Sequence, residues 1–195
     1  EENFDNKKVA LLLSRNEIVA RCIGEAEFGA RALGNRSILA NPMYFKNIEI
    51  INNLIKNRDF WMPFTPSILE EKANFFLINK KNIISPYMTI GFDSTDGAKI
   101  KIPACLHMGD KSARPQFVKK NINLKYWDLI NKFYKITKVP CLLNTSLNLH
   151  GEPMNYTTAD AVRTLALSSL DFLHLPGKIL VFKKKSKNRI KDLLV

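Results

Sequence analysis

Hydrophobic positions in this chain follow two rhythms, and the switches between them outline its elements. Val9-Ala10-Leu11-Leu12-Leu13 is the end of a short helix, which Ser14-Arg15-Asn16 turns into a strand at Ile18-Val19-Ala20. Ile38-Leu39 forms a second strand. Beyond the break at Asn41-Pro42, Phe45, Ile48, Ile51 and Ile55 recur at helical spacing through Asn57. Pro63 and Pro66 bar a regular helix and bias their neighbours to extended geometry, and a short helix is expected over 70–76. Tyr87 to Phe92 is expected as a strand, Asp93 to Gly97 as a turn, and Lys99 to Leu106 as a strand with Pro103 marking an edge or bulge. Tyr126, Leu129, Ile130, Phe133 and Tyr134 line one face of a helix, and Val139 to Leu143 forms a buried strand. Thr157 or Thr158 caps a last long helix, with Asp160 in its first turn. Phe172 to Leu175 and Ile179 to Phe182 then pair around Pro176-Gly177.

Strands and helices mix here without strict alternation, which points to an α/β or α+β fold with a mixed sheet. One domain over 1–195 is expected, with its core at about 9–182 and a solvated basic tail at 183–195. A hydrophobic content of 46% is ample for a packed core and excludes a disordered chain. The 30 Lys and Arg against 18 Asp and Glu leave a net charge of +12, which favours anionic partners: phosphates, nucleotides or nucleic acid. Cys22, Cys105 and Cys141 lie far apart in apolar stretches without metal-ligand spacing. They read as buried free thiols in a reducing compartment, so the cytoplasm is the expected location. No apolar run approaches the roughly 18 residues that cross a bilayer, and no signal peptide is visible. The chain opens at Glu1-Glu2-Asn3 rather than at methionine, which reads as a processed chain or a fragment of something longer.

Candidate chemistry gathers in three polar stretches: Gly24 to Arg36, His107 to Gln116, and Asn144 to Asn148. Each follows a predicted strand, and ligand sites in open α/β sheets collect at strand ends. The first stretch carries glycines that let backbone amides approach an anion, and arginines whose forked donors suit carboxylate or phosphate. It reads equally as a tight connection with its arginines paired to Glu25 and Glu27. Convergence of the three would place Arg31, Arg36 and Arg114 around one pocket, with Asn144 and Ser146 as uncharged donors. That set suits a phosphorylated ligand stabilised electrostatically, without a nucleophile. His107, His150 and His174 are isolated from one another, so no metal site is expected. Cys105 precedes His107 by two residues without a nucleophile signature, and Ser146 has no base at a telling distance.

The run Gly24-Glu25-Ala26-Glu27-Phe28-Gly29-Ala30-Arg31-Ala32-Leu33-Gly34-Asn35-Arg36-Ser37-Ile38-Leu39-Ala40 resembles the signature of the O-carbamoyltransferases of nodulation-factor and antibiotic biosynthesis. The resemblance continues through Ile55-Lys56-Asn57-Arg58-Asp59 with Pro63-Phe64-Thr65-Pro66-Ser67, and through Ser112-Ala113-Arg114-Pro115-Gln116. It ends in Leu143-Asn144-Thr145-Ser146-Leu147-Asn148 and Gly151-Glu152-Pro153-Met154. It covers about Val9 to Phe182 and matches the C-terminal domain of that family. The resemblance implies a YrdC-like fold, a twisted mixed sheet with flanking helices, that forms carbamoyl-adenylate from carbamoyl phosphate and ATP with Mg2+. It further implies a partner: an N-terminal Kae1-like domain, with a metal site and outside this chain, that passes the carbamoyl group to an alcohol. Carried over by motif, the phosphate and carbamoyl ligands fall on Lys56, Arg114, Asn144 and Ser146. Arg31, Arg36, Lys111 and Asn148 are the further candidates for nucleotide contact.

The chain departs from the family pattern in four places. Met62 stands where an arginine usually precedes the proline; between Trp61 and Pro63 it reads as a gap-filler in an apolar patch. The loop His107-Met108-Gly109-Asp110-Lys111-Ser112-Ala113-Arg114 is one residue longer than usual, and its Lys111 could replace the missing charge. Leu147 and Ala30 replace a common phenylalanine and proline, changes expected to be neutral. Two rival readings remain: a YrdC-like nucleic-acid-binding module, and a catalytically weakened domain kept for assembly. Against the first, the aromatics sit at core-like spacing rather than as a stacking platform.

Overall fold

The computed structural model describes residues 3–56 and 62–194. Chain order is α1 (Asn6–Ser14), β1 (Val19–Cys22), β2 (Arg36–Ala40), α2 (Asn47–Ile51), β3 (Thr65–Leu69) and α3 (Asp96–Lys101). Then follow β4 (Gln116–Val118), α4 (Leu124–Thr137), β5 (Cys141–Ser146), α5 (Thr158–Leu167), β6 (Phe172–Leu175) and β7 (Ile179–Phe182). The strands form one mixed sheet in the order β4-β3-β5-β2-β1-β6-β7. Pairs β1–β6 and β3–β4 are parallel, and the other neighbours are antiparallel. Every residue of β1, β2 and β3 is buried, as a strand covered on both faces requires.

On one face α1 packs against α4, so that Val9, Leu12 and Leu13 share a core with Leu129, Ile130 and Phe133. On the other, Ala20, Ile38, Leu143 and Leu173 meet Ile48 and Ile51 of α2 and Ala161 and Leu165 of α5. Local signals set the helix starts. The Asp5 carboxylate accepts the Lys7 and Lys8 amides ahead of α1, and Thr157 with Asp160 closes a reciprocal capping box on α5. The expected mixed sheet with flanking helices is therefore what the chain builds.

Several expected elements differ. Tyr87 to Phe92 is not a strand: Met88 adopts a left-handed φ of 58°, and only Phe92 bridges, to Ala113. Lys99 to Leu106 is not a strand either. The Thr95 side chain caps Ala98 N and opens α3, and Pro103 starts a tight 3-10 turn through Cys105. The alternation of lysine and isoleucine at 99–102 imitates a strand, but the cap decides. Conversely, β3 contains Pro66 and is nonetheless central, which is why its sequence hides it. The expected helix through Asn57 is α2 continued by a wider π-helical turn, Asn52–Lys56, and Asn57 lies outside the described residues. Asn144 to Ser146 belongs to β5 rather than to a loop. The basic tail is also not merely solvated: its 3-10 segment Lys184–Leu193 buries Ser186, Ile190 and Leu193.

Candidate functional site

Strand register sets a polar surface on one face of the sheet. Arg21 lies opposite Ser37, which lies opposite Ser146; Asn144 lies opposite Thr65, and Ser67 opposite Gln116. The loop after β1 is laid over this surface, and its backbone supplies the partners. Asn144 Nδ2 donates to the Ala32 carbonyl at 3.0 Å, Gln116 Nε2 to Leu33 at 2.9 Å and Arg21 Nε to Gly34 at 2.8 Å. Ser67 links the first two, donating to Gln116 Oε1 and accepting from Asn144 Nδ2. Three consecutive loop carbonyls are thus held by side chains from three strands.

The loop needs its glycine here. Gly34 has φ +112°, and a Cβ on it would stand 2.2 Å from the Tyr126 ring. From the other side, Glu27 Oε1 accepts the backbone amides of Leu33, Asn35 and Arg36 at 2.7, 2.7 and 3.1 Å. Glu27 therefore forms no ion pair with an arginine among the described residues, although its charge reaches Arg21. It is a carboxylate that gathers the loop's own donors.

This scaffold presents Arg31 at the mouth of a cavity of about 90 Å³ that is also lined by Ala32, Thr65, Met88, Arg114, Asn144 and Ser146. The cavity joins a wider cleft of about 610 Å³ through the shared residues Arg31, Pro63 and Arg114. Among the described residues neither Arg31 nor Arg114 forms an ion pair. Partial burial, and then the charge of Arg31, lowers the Arg114 pKa from its ordinary value. Two neighbouring guanidiniums without a carboxylate between them make a place for an anion. Deeper in, Asn144 is 1% exposed and its Oδ1 has no hydrogen-bond partner among the described residues, although Nδ2 has two.

The sequence-expected residues divide into two groups. Arg31, Arg114, Asn144 and Ser146 converge on the one cavity. Ser146 Oγ also donates to Asn148 Oδ1 at 2.7 Å, and Asn148 Nδ2 donates to the Leu149 and Glu152 carbonyls. Asn148 therefore braces the turn after β5 rather than facing the cavity. Arg36 is 6% exposed and donates to the carbonyls of Gly24, Asn35 and Tyr156, so it staples the loop from beneath. Lys111 turns back to the Met108 carbonyl and lines neither the cavity nor the cleft. The Lys56 side chain lies outside the described residues.

Met62 is not an apolar gap-filler: it is 46% exposed and lines the cleft with Arg31 and Arg114. Sequence reasoning missed the supporting set of Glu27, Thr65, Ser67, Gln116 and Met88. For Thr65, Ser67 and Gln116 the available signal was polar residues in apolar strands. Cys22, Cys105 and Cys141 are buried free thiols, as expected. No group of three or more His, Cys, Asp or Glu among the described residues could hold a metal. No helix among them is long and apolar enough to cross a membrane.

Nodulation protein NolNO of Sinorhizobium fredii is 44% identical over 162 residues, covering 83% of this chain and 24% of that protein. The chain thus spans about a quarter of the length of that relative. Among solved structures, P. abyssi Sua5 complexed with L-threonine matches with TM-score 0.60 at 12% identity, over 88% of this chain and 46% of its own. Full-length HypF in its phosphate- and nucleotide-bound form matches with TM-score 0.58 at 15% identity, over 90% of this chain and 23% of its own. Sua5 and HypF carry YrdC-like domains, and the mixed sheet described above is that fold. The family model for the carbamoyltransferase C-terminus matches residues 10–183. With the signature loop, β3, the Arg114 segment and β5 all inside that match, the chain belongs to the carbamoyltransferase C-terminus family.

Proposed function

We propose that this chain is the carbamoyl-activating part of an O-carbamoyltransferase, forming carbamoyl-adenylate from carbamoyl phosphate and ATP. One observation carries this reading: two arginines that form no ion pair among the described residues line a small cavity with Asn144, whose buried Oδ1 has no hydrogen-bond partner among those residues. Arg31 and Arg114 suit the phosphate of carbamoyl phosphate. Asn144 Oδ1 is an acceptor for the carbamoyl NH2, a group that phosphate alone does not offer. The wider cleft beyond Pro63 has room for the nucleotide.

Carbamoyl phosphate gives its phosphoryl group to water, leaving carbamate; a carbamate oxygen attacks the α-phosphorus of ATP, and pyrophosphate leaves. The chain's residues orient the two anions and offset their mutual repulsion, without a covalent intermediate on the protein. None of the described residues lining the cavity and cleft is a carboxylate, so they fit the phosphates rather than a magnesium ion. Magnesium accompanying ATP would be held by the phosphates themselves. Transfer from carbamoyl-adenylate to the alcohol falls to a Kae1-like domain outside this chain.

The test is release of pyrophosphate from ATP, followed with and without carbamoyl phosphate. Release that depends on carbamoyl phosphate and falls with Arg114→Ala is expected. Release that ignores carbamoyl phosphate would overturn the reading.

A further inference from the structure

A second cavity, of about 530 Å³, lies on the same side of the sheet at β1 and β6. Its lining includes Arg21, His174, Asp5, Lys125, Asp128 and Lys178, and it shares no residue with the Arg31–Arg114 cavity. Arg21 is 1% exposed and His174 3%. The guanidinium is fixed on three sides. Nε donates to the Gly34 carbonyl at 2.8 Å, Nη1 stands 3.4 Å from His174 Nδ1, and the group lies 5.9 Å from the centre of the Tyr126 ring. Nη2 is buried and has no hydrogen-bond partner among the described residues.

Of the carboxylates whose charges reach Arg21, Glu27 holds three loop amides through Oε1, and Asp128 accepts from Lys132 and Asn6. Asp5, on the cavity wall, accepts the Lys7 and Lys8 amides, and none of the three hydrogen-bonds the guanidinium among the described residues. Burial lowers the Arg21 pKa to about 10, which leaves it charged at neutral pH. The charges of Glu27 and Asp128 offset part of its burial, but a buried, charged guanidinium with no carboxylate in direct contact among the described residues stays costly. Lys125 and Lys178, exposed at the rim, form no ion pair among the described residues and add further positive charge.

The geometry points to a second anion site, in which Arg21 Nη2 at the base and Lys125 and Lys178 at the rim take the phosphate or carboxylate head of a small ligand. The Gly34 segment of the loop, held by Arg21, stands between this site and the cleft, so its occupancy does not depend on the proposed reaction.

NMR of the His174 ring, during separate titrations with inorganic phosphate and with malonate at constant ionic strength, tests this. Saturable movement of the His174 signals by at least one anion is expected, and the tighter of the two identifies the head group. Lys125→Ala with Lys178→Ala should weaken that binding about tenfold, and Arg21→Gln should abolish it. Arg114→Ala should leave it unchanged, whatever becomes of the carbamoyl reaction. If Arg21→Gln loses its cooperative melt, the double variant decides, because both of its lysines are exposed. No saturable movement with either anion, or equal affinity in the double lysine variant, would overturn the site.

Discussion

Met62 lines the same cleft as Arg31 and Arg114, which gives a single side chain measurable leverage. An arginine there would add a third forked donor beside Arg31 and Arg114. Met62→Arg should tighten carbamoyl phosphate about tenfold, the effect of one charge-assisted hydrogen bond of roughly 1.5 kcal/mol. Lys111→Ala should leave that affinity unchanged, since Lys111 is turned to the Met108 carbonyl; calorimetry on both variants checks the pair. The charge state of the buried His174 bears directly on stability. Burial, and then the charge of Arg21, pushes its pKa down to about 4 from 6.5. Between those values the unfolded chain binds a proton that the folded chain refuses, so stability falls as pH drops from 6.5 towards 4. The loss should reach up to about 3 kcal/mol, and His174→Gln should flatten that part of a urea-unfolding pH profile.

At the scale of elements, the loop between β1 and β2 behaves as one unit clamped from both sides. Glu27→Ala would strand three backbone donors, and should cost about 2–3 kcal/mol in urea unfolding while weakening carbamoyl phosphate by displacing Arg31. Gly34→Ala should be worse, because a Cβ there meets the Tyr126 ring and the backbone is left-handed; a loss above about 3 kcal/mol, or no soluble protein, is expected. The C-terminal 3-10 segment is a further unit. Ile190→Ala should destabilise by about 2–4 kcal/mol, which a solvated tail would not do.

Legibility from sequence follows the same division into units. Periodicity found α4, α1 and the β6–β7 pair because each has one apolar face or a short buried run. It failed at α3, where a cap outweighs an alternating pattern, and at β3, where a proline stands inside a central strand. The cavity residues were legible where charge or motif marked them, as with Arg31, Arg114, Asn144 and Ser146. Glu27 and Gln116 were not, because their partners, loop backbone groups and for Gln116 also Ser67, are brought near only by the finished fold. Arg36 was misread for the same reason: nothing local tells an arginine that binds carbonyls from one that binds a ligand.

For the whole molecule, a net charge of +12 attracts any polyanion, so weak salt-sensitive binding of RNA would not distinguish a nucleic-acid module from an enzyme. What distinguishes them is a small-molecule site that depends on one arginine. Arg114 donates to no described carboxylate and sits on a surface loop, so its removal should spare the fold. Calorimetric titration of carbamoyl phosphate into the chain and into Arg114→Ala, with thermal melts alongside, is the most direct measurement. Binding to the natural chain that weakens about ten- to a hundredfold in the variant, at an unchanged melting temperature, is the expected result. Equal affinity in the two proteins, or no binding to either, would contradict a carbamoyl phosphate site at Arg31 and Arg114.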